Sequence, residues 1–260
     1  MKPSRCIVGA VRPRSATKEL ALRSPGWLFA ADGPKPAVKA LAFDGFPIFD
    51  PRAMGARAAS VLPAGGKELA QAWTNKLFAL SWIETSAGRY SGFERLARGA
   101  LDFAARSMGI ALTDGQTSEL VRVFHELPLW PDAMAGLEKL RSADIRLAFL
   151  SNLTEAMLQS AMDRNGLGKL METPISTDRV SAFKPSPLAY AMGPKAFGLP
   201  KEQIGFVAFG GWDALGASWY GYRTAWINRL GVEQEPLEPS PTITSRDFSA
   251  VLKLANVAST

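Results

Sequence analysis

The stretch LAFDGFPIFD, Leu41 to Asp50, decides the fold. Its apolar run begins at Val38 and stops at Asp44, and Gly45 and Pro47 follow at once. Asp, Gly and Pro favour turns, because Asp bonds its own backbone while Gly and Pro set special dihedrals. A turn alone does not explain why an apolar run broken only at Lys39, of the kind that suits a strand covered on both faces, ends in a carboxylate. Nor does it explain why Phe46, and not a second acid, comes two residues later. The rest of the chain supplies the context.

At 260 residues, with 47% apolar and 21% charged content, the chain is an ordinary globular sequence. It has room for one large domain or for a core with a smaller insertion. No apolar run approaches the roughly 18–20 residues of a membrane span, so no membrane partner is expected. The single Cys6 excludes an internal disulfide; nothing requires an oxidising compartment, and the expected location is cytoplasmic. One Cys and one His leave almost nothing for a zinc site built on those ligands. His125, in VFHEL, falls in a helical pattern and reads as a helix-surface residue, so a His-dependent triad has poor support.

The net charge of +6 is local. Residues 1–39 hold eight Lys or Arg and two acids, whereas residues 40–260 hold 22 of each sign. The folded part therefore lacks the basic footprint of a nucleic-acid binder. Residues 1–37, rich in Arg, Ser and Pro, read as a basic leader or disordered tail. A leader there would carry the chain to the periplasm.

After the first strand comes a long helical stretch. GGKELAQAWTNKLFALSWIET spaces Leu69, Trp73, Leu77 and Leu80 three or four apart, with Thr74, Phe78 and Trp82 as a neighbouring row. SGFERLARGALDFAARSMG and LTDGQTSELVRVFHEL repeat the pattern, each with a Ser or Thr placed to cap it. From about Trp130 helices and strands alternate: PDAMAGLEKLRSAD, IRLAFLS, TEAMLQSAMDRNG, METPIST, KPSPLAYAMGPKAFG with Pro185 near the helix start, QIGFVAFGG, WDALGASWYG and a last strand YRTAWIN. Such alternation implies α/β architecture with right-handed crossovers. The expected fold is a Rossmann-like, doubly wound parallel sheet over 38–51 and 129–260, with an all-helical cap inserted at 52–128.

In such a sheet, ligands bind beyond the carboxyl ends of the strands. The polar residues at those ends are Asp44, Ser151 with Asn152, Lys184 and Asp213. Singly, each is an ordinary cap or turn residue. At four strand ends of one sheet they form a set.

The segments AFDGF, FLSNL, AFKPSP and GGWDALGA resemble the motifs of the haloacid dehalogenase superfamily, in order and spacing, over about residues 38–230. STDRVSAFKPSPLAY and WDALGASWYGY are most similar to its type II 2-haloacid dehalogenase branch. The resemblance implies Asp44 as nucleophile, oriented by Lys184. Asp213 is implied to position or activate water, and Ser151 with the Asn152 backbone to bind the substrate carboxylate. Tyr190 would support Lys184, and Phe46, Phe78 and Trp212 would wall the substrate carbon and halide. Phosphatases of the superfamily carry a second Asp two residues after the nucleophile and an acid four residues before Asp213. Here these places hold Phe46 and Phe209, so a phosphatase lacks its general acid and half its magnesium site. Halide leaves without a proton, and neither metal nor other cofactor is expected.

The sequence departs from that branch in three places. Relatives carry an Arg after the Trp of the first cap helix, where this chain has Thr74. After the fourth strand they carry a Ser and an Asn, where this chain has Ala208 and Gly210. Each lost donor at a developing charge is worth roughly 100–1000-fold in rate, and the losses do not add. Lys76 lies about 200° round the helix from Thr74 and cannot replace the Arg. Arg89, in SAGRYSGF, is the substitute expected, with a surface salt-bridge role as its other reading. The two functional readings are a hydrolase that displaces halide from a short 2-haloalkanoic acid, and a degenerate member that binds a small anion or a protein partner. The intact Asp44, Ser151, Lys184 and Asp213 favour the first. The cap helices of relatives often support homodimers, and the apolar rows around Leu77 and Trp82 suit a homodimer and packing on the core equally.

Overall fold

The computed structural model describes residues 37–258; the leader expected over residues 1–37 falls almost wholly outside them, and with it the question of export. Ala40–Phe43 forms β1, buried throughout. Asp44 lies just past its end, so the strand expected over Val38–Asp44 is shorter at both ends. Helices α1 (Arg52–Val61), α2 (Gly66–Ser86), α3 (Phe93–Ser107) and α4 (Asp114–Val121) follow, the last continued by a 3-10 turn at Arg122–His125. Then come α5 (Ala133–Ser142), β2 (Arg146–Ser151), α6 (Glu155–Arg164) and β3 (Ile175–Ser176). The chain continues through α7 (Pro187–Tyr190), α8 (Met192–Phe197), β4 (Ile204–Ala208), α9 (Gly211–Tyr220) and β5 (Arg223–Ile227) to β6 (Ile243–Ser245) and α10 (Ser249–Leu254).

All six strands pair in parallel, in the order β3-β2-β1-β4-β5-β6. The crossover direction reverses on either side of β1, so β1 and β4 flank the switch point where such sheets bind ligands. Side chains alternate through the sheet. Leu41, Phe43, Leu147, Phe149 and Val207 enter one buried cluster, while Ala40, Ala42, Ala148, Phe206 and Ala208 enter the other. The small alanines of the second face leave room for Tyr190, Tyr222 and Trp226, all buried there.

The helical insertion leaves and rejoins the sheet through two adjacent segments. Phe49 bridges Leu129, the Asp50 N–H donates to the Pro128 carbonyl at 2.8 Å, and the Trp130 N–H donates to Ile48 at 3.0 Å. Within the insertion, Trp73 is fully buried, its indole N–H donating to the Ala97 carbonyl at 2.8 Å and its ring meeting Phe124 edge-on. Trp73 thus ties α2 to α3.

Some local expectations change. Thr113 and Gln116 form the capping box of α4, but α3 starts from Gly92 without a side-chain cap. Ser91 instead donates its hydroxyl to Glu84 at 2.7 Å. The helix expected from Pro185 onward begins at Pro187, capped by Ser186, and divides into α7 and α8. Pro194 has no N–H for the Tyr190 carbonyl, which accepts the Tyr222 hydroxyl at 2.6 Å instead. METPIST yields only the two residues of β3, and β6 and α10 lie beyond the last strand that the sequence pattern predicts.

One contact links packing to the nucleophile's strand. A Cβ at Gly136 of α5 would lie 2.2 Å from Phe248, whose ring stacks on Phe43 at 6.1 Å. Gly136→Ala must push Phe248 into β1, and overpacking of this kind costs about 1–3 kcal/mol. Urea unfolding should show that loss, despite the better helix propensity of Ala; an unchanged midpoint would mean that Phe248 moves freely.

Candidate active site

Asp44 follows β1, Ser151 ends β2, Asn152 comes next, and Asp213 sits in the first turn of α9 after β4. Lys184 arrives from the loop beyond the 3-10 turn Thr177–Val180. Its side chain is fully buried, and its Nζ donates to Asp44 Oδ1 at 2.8 Å and to Asp213 Oδ2 at 2.6 Å. An ammonium taken out of water is costly unless paired. Burial works to lower the Lys184 pKa, but the two carboxylates outweigh it and hold the group above its ordinary value. Asp213 feels the opposite balance: burial drives its pKa up to about 6, Lys184 offsets part of that, and Asp44 adds to it.

Tyr190 plays a different part from the one expected. Its hydroxyl donates to Asp213 Oδ1 at 2.7 Å rather than supporting Lys184. Burial, then the Asp213 carboxylate, push its pKa well above the usual value, so it stays a donor. Being fully buried, it is not among the residues that line the cavity. Asn152 is also used internally. Its Oδ1 accepts the Lys184 backbone N–H at 2.9 Å and the Thr177 hydroxyl at 3.3 Å, bracing the lysine's loop. Asp44 accepts the Phe46 N–H at 3.3 Å and, at a long 3.4 Å, the Ser151 hydroxyl.

Asp44 opens onto a cavity of about 340 Å³ with Ser151 and Asn152 on its wall. Asp213, 1% exposed, lies behind it. Phe46 and Phe209 meet edge-on at 6.0 Å, and Phe78 packs on Trp212 at 5.4 Å. All four rings line the cavity, so the places of a phosphatase's extra acids are occupied by an aromatic pair. Among the described residues, no three His, Cys, Asp or Glu side chains gather as a metal site would need. No helix among them is long and apolar enough to cross a membrane.

Thr74 lines the cavity, its hydroxyl turned back to the Ala70 carbonyl at 2.8 Å. Arg89, the expected substitute for an Arg at that place, is exposed and is not on the cavity wall. Lys76 lies over the Phe103 ring at 3.7 Å. The cations on the wall are Arg52 and Lys67, which the sequence reading missed. Lys67 was legible, since it stands seven residues before Thr74 on the same helix face. Arg52 was not, because it depends on how α1 leaves the Asp50 bend, where the two side chains pair at 2.6 Å.

The insertion is fastened to the lysine's loop. The Phe183 N–H donates to Thr85 Oγ1 at 3.1 Å, the Tyr90 hydroxyl bonds Asp178, and the Tyr90 and Phe183 rings lie 4.6 Å apart. Thr85 is in α2, and Phe183 immediately precedes Lys184.

Comparison with known proteins agrees with this geometry. Residues 35–221 match the haloacid dehalogenase-like hydrolase family. Haloacetate dehalogenase H-2 of Moraxella sp. (strain B) is 31% identical over 221 residues, covering 85% of this chain and 99% of that protein. An (S)-2-haloacid dehalogenase of Pseudomonas sp. (strain YL) is 29% identical, covering 85% and 96%. The crystal structure of the L-2-haloacid dehalogenase RSc1362 superposes with a TM-score of 0.82 at 32% identity, covering 85% of this chain and 100% of that one. With a buried lysine joining carboxylates at two strand ends, and a family match over most of its length, this chain belongs to the haloacid dehalogenase-like hydrolases.

Proposed function

We propose that the chain displaces halide from a short 2-haloalkanoic acid through an ester on Asp44, giving the 2-hydroxy acid. One observation carries this reading: a carboxylate held by a buried ammonium faces a largely apolar cavity, with Phe46 where a general acid would stand. That arrangement suits a leaving group that needs no proton. The relatives' names, haloacetate and (S)-2-haloacid dehalogenase, support the same substrate class.

In the first step an Asp44 oxygen attacks C2, and the carbon–halogen bond breaks with its electron pair going to the halide. Lys184 holds the carboxylate in place for that attack. Water then adds at the ester carbonyl carbon, the hydroxy acid departs with the C2–O bond intact, and Asp44 is regenerated. One proton is released overall. Asp213 is the base within reach, one ammonium away from Asp44, with lone pairs beyond the two that Lys184 and Tyr190 use. Arg52 and Lys67 supply positive charge for the substrate carboxylate on a wall where Thr74 has none. The helices of residues 52–128 act as the cap over the cavity, and the sheet with its flanking helices as the core.

Halide release from L-2-chloropropionate, with EDTA present, should be measurable for the wild type and absent for Asp44→Asn. Release retained by the folded mutant would sink the ester mechanism.

The base works only as a carboxylate, so the deprotonated fraction of Asp213 falls as pH drops through about 6. Ester hydrolysis should slow about tenfold per pH unit below that point, while Lys184 stays charged. Rapid quench at pH 5 should trap substrate on Asp44, detected by mass; free enzyme with full turnover at pH 5 would exclude Asp213 as the base.

The exposed apolar side chains Ile83 on α2 and Phe103 on α3, 61% and 46% accessible, support a homodimer through the cap. Light scattering at micromolar concentration should give twice the chain mass, reduced to the single mass by Ile83→Lys. A wild-type monomer would dismiss the dimer.

A further inference from the structure

We propose that Arg229 and Trp130 are positioning residues for the nucleophile, acting through the turn of residues 45–48 that follows it. The inference rests on the dehalogenase reading and adds to it the device that aims Asp44. The turn closes on one carbonyl: the Ile48 and Phe49 N–H groups both donate to Gly45, at 3.2 and 2.9 Å. The next three carbonyls, of Phe46, Pro47 and Ile48, find no donor within the turn, and backbone carbonyls shut away from water need partners from elsewhere. Two residues supply all three. The Trp130 indole N–H donates to Phe46 at 2.9 Å, the Trp130 backbone N–H to Ile48 at 3.0 Å, and Arg229 Nη2 to Pro47 at 3.1 Å.

The segment held in this way begins at a contact with the nucleophile. Lys184 and Ser151 both donate to Asp44 Oδ1, at 2.8 and 3.4 Å. Oδ2 is therefore the oxygen left to attack, and it accepts the Phe46 N–H at 3.3 Å. Where residue 46 sits decides where that oxygen points. Neither Trp130 nor Arg229 is on the cavity wall, so both act through the turn alone.

Stability is a weak reason for an arginine at this place. Its side chain is 6% exposed, Nη1 and Nη2 pair with the two oxygens of Asp132 at 3.1 and 2.8 Å, and its buried Nε has no hydrogen-bond partner among the described residues. A buried ion pair is often no better than apolar residues of the same volume, and an unpaired N–H makes it worse. A planar fork that grips a carboxylate and still has an N–H for Pro47 is what arginine alone supplies. The guanidinium also lies 4.6 Å from the centre of the Trp130 ring, so the two residues brace each other.

Arg229→Lys keeps the charge beside Asp132 and removes the fork, while Trp130→Phe keeps a ring and removes the indole N–H. Single-turnover chloride release from L-2-chloropropionate, followed against the concentration of folded enzyme, gives a maximum rate constant and a half-saturating concentration. Misplacing a reacting group by about 1 Å costs on the order of 100-fold, so each substitution should lower the maximum rate constant by about 10–100-fold. The half-saturating concentration should stay unchanged, as for an interaction that serves the transition state alone. The double variant should lose less than the product of the single losses, because both residues act on one turn. A merely structural role would lower the urea midpoint and leave the rate constant of the folded sites alone. That result, or losses that multiply in full, would overturn the proposal. Should Arg229→Lys fail to fold, the rate constant of Trp130→Phe, the milder change, decides. A wild type that releases no chloride overturns the dehalogenase reading and this one together, whereas an active wild type with equally fast variants overturns this one alone.

Discussion

A buried ammonium between two carboxylates sets the terms for the rest of this structure. Lys184 cannot sit in the interior alone, and neither can Asp213, so each is the condition for the other's burial. Together with Asp44 they carry one net negative charge, and Asp44 is the member on the cavity wall. Removing the lysine would leave two like charges facing each other, a loss of the 3–5 kcal/mol kind that follows when a buried pair is broken. The arrangement requires three chain segments to arrive at one point, and the parallel sheet provides this by ending β1 and β4 side by side at the switch point.

Around this charged centre the wall is aromatic, and the contrast is chemically selective. Where the hydrolysis of a phosphate ester needs an acid and a cation, Phe46 and Phe209 press against each other. An apolar wall desolvates the nucleophile and the substrate carbon alike, which favours displacement by a carboxylate that would be sluggish in water. Tyr190 and Asn152 complete the centre from outside the cavity. One holds the far oxygen of Asp213 and the other braces the loop that delivers Lys184.

Much of this was legible in the residue order. Apolar runs that stop at a polar residue mark buried strands and the rim of the sheet, so Asp44, Ser151, Lys184 and Asp213 could be grouped before any coordinates. Tyr190 was placed near the site by the family resemblance, not by any pattern of its own. Its partner could not be read, because which of two adjacent charged groups a hydroxyl reaches depends on packing between elements distant in sequence. The same holds for Arg89, whose exposure is decided by where the loop after α2 turns. Arg52 escaped notice because α1 follows an irregular bend, and so did the partner of the Tyr190 carbonyl that Pro194 leaves free, a hydroxyl brought in from Tyr222. Short-range pattern carries strands, helices and caps; cross-chain contacts carry the assignments between neighbours.

The bond from the Phe183 N–H to Thr85 gives the insertion a hold on the backbone next to Lys184. Lifting α2 away from the sheet breaks that bond, parts the Tyr90 and Phe183 rings and exposes the residue on which the lysine's placement depends. Displacement of α2 and loosening of the nucleophile's partner are therefore tied to one set of contacts. Such a tie makes the lysine's position report on the seating of the insertion.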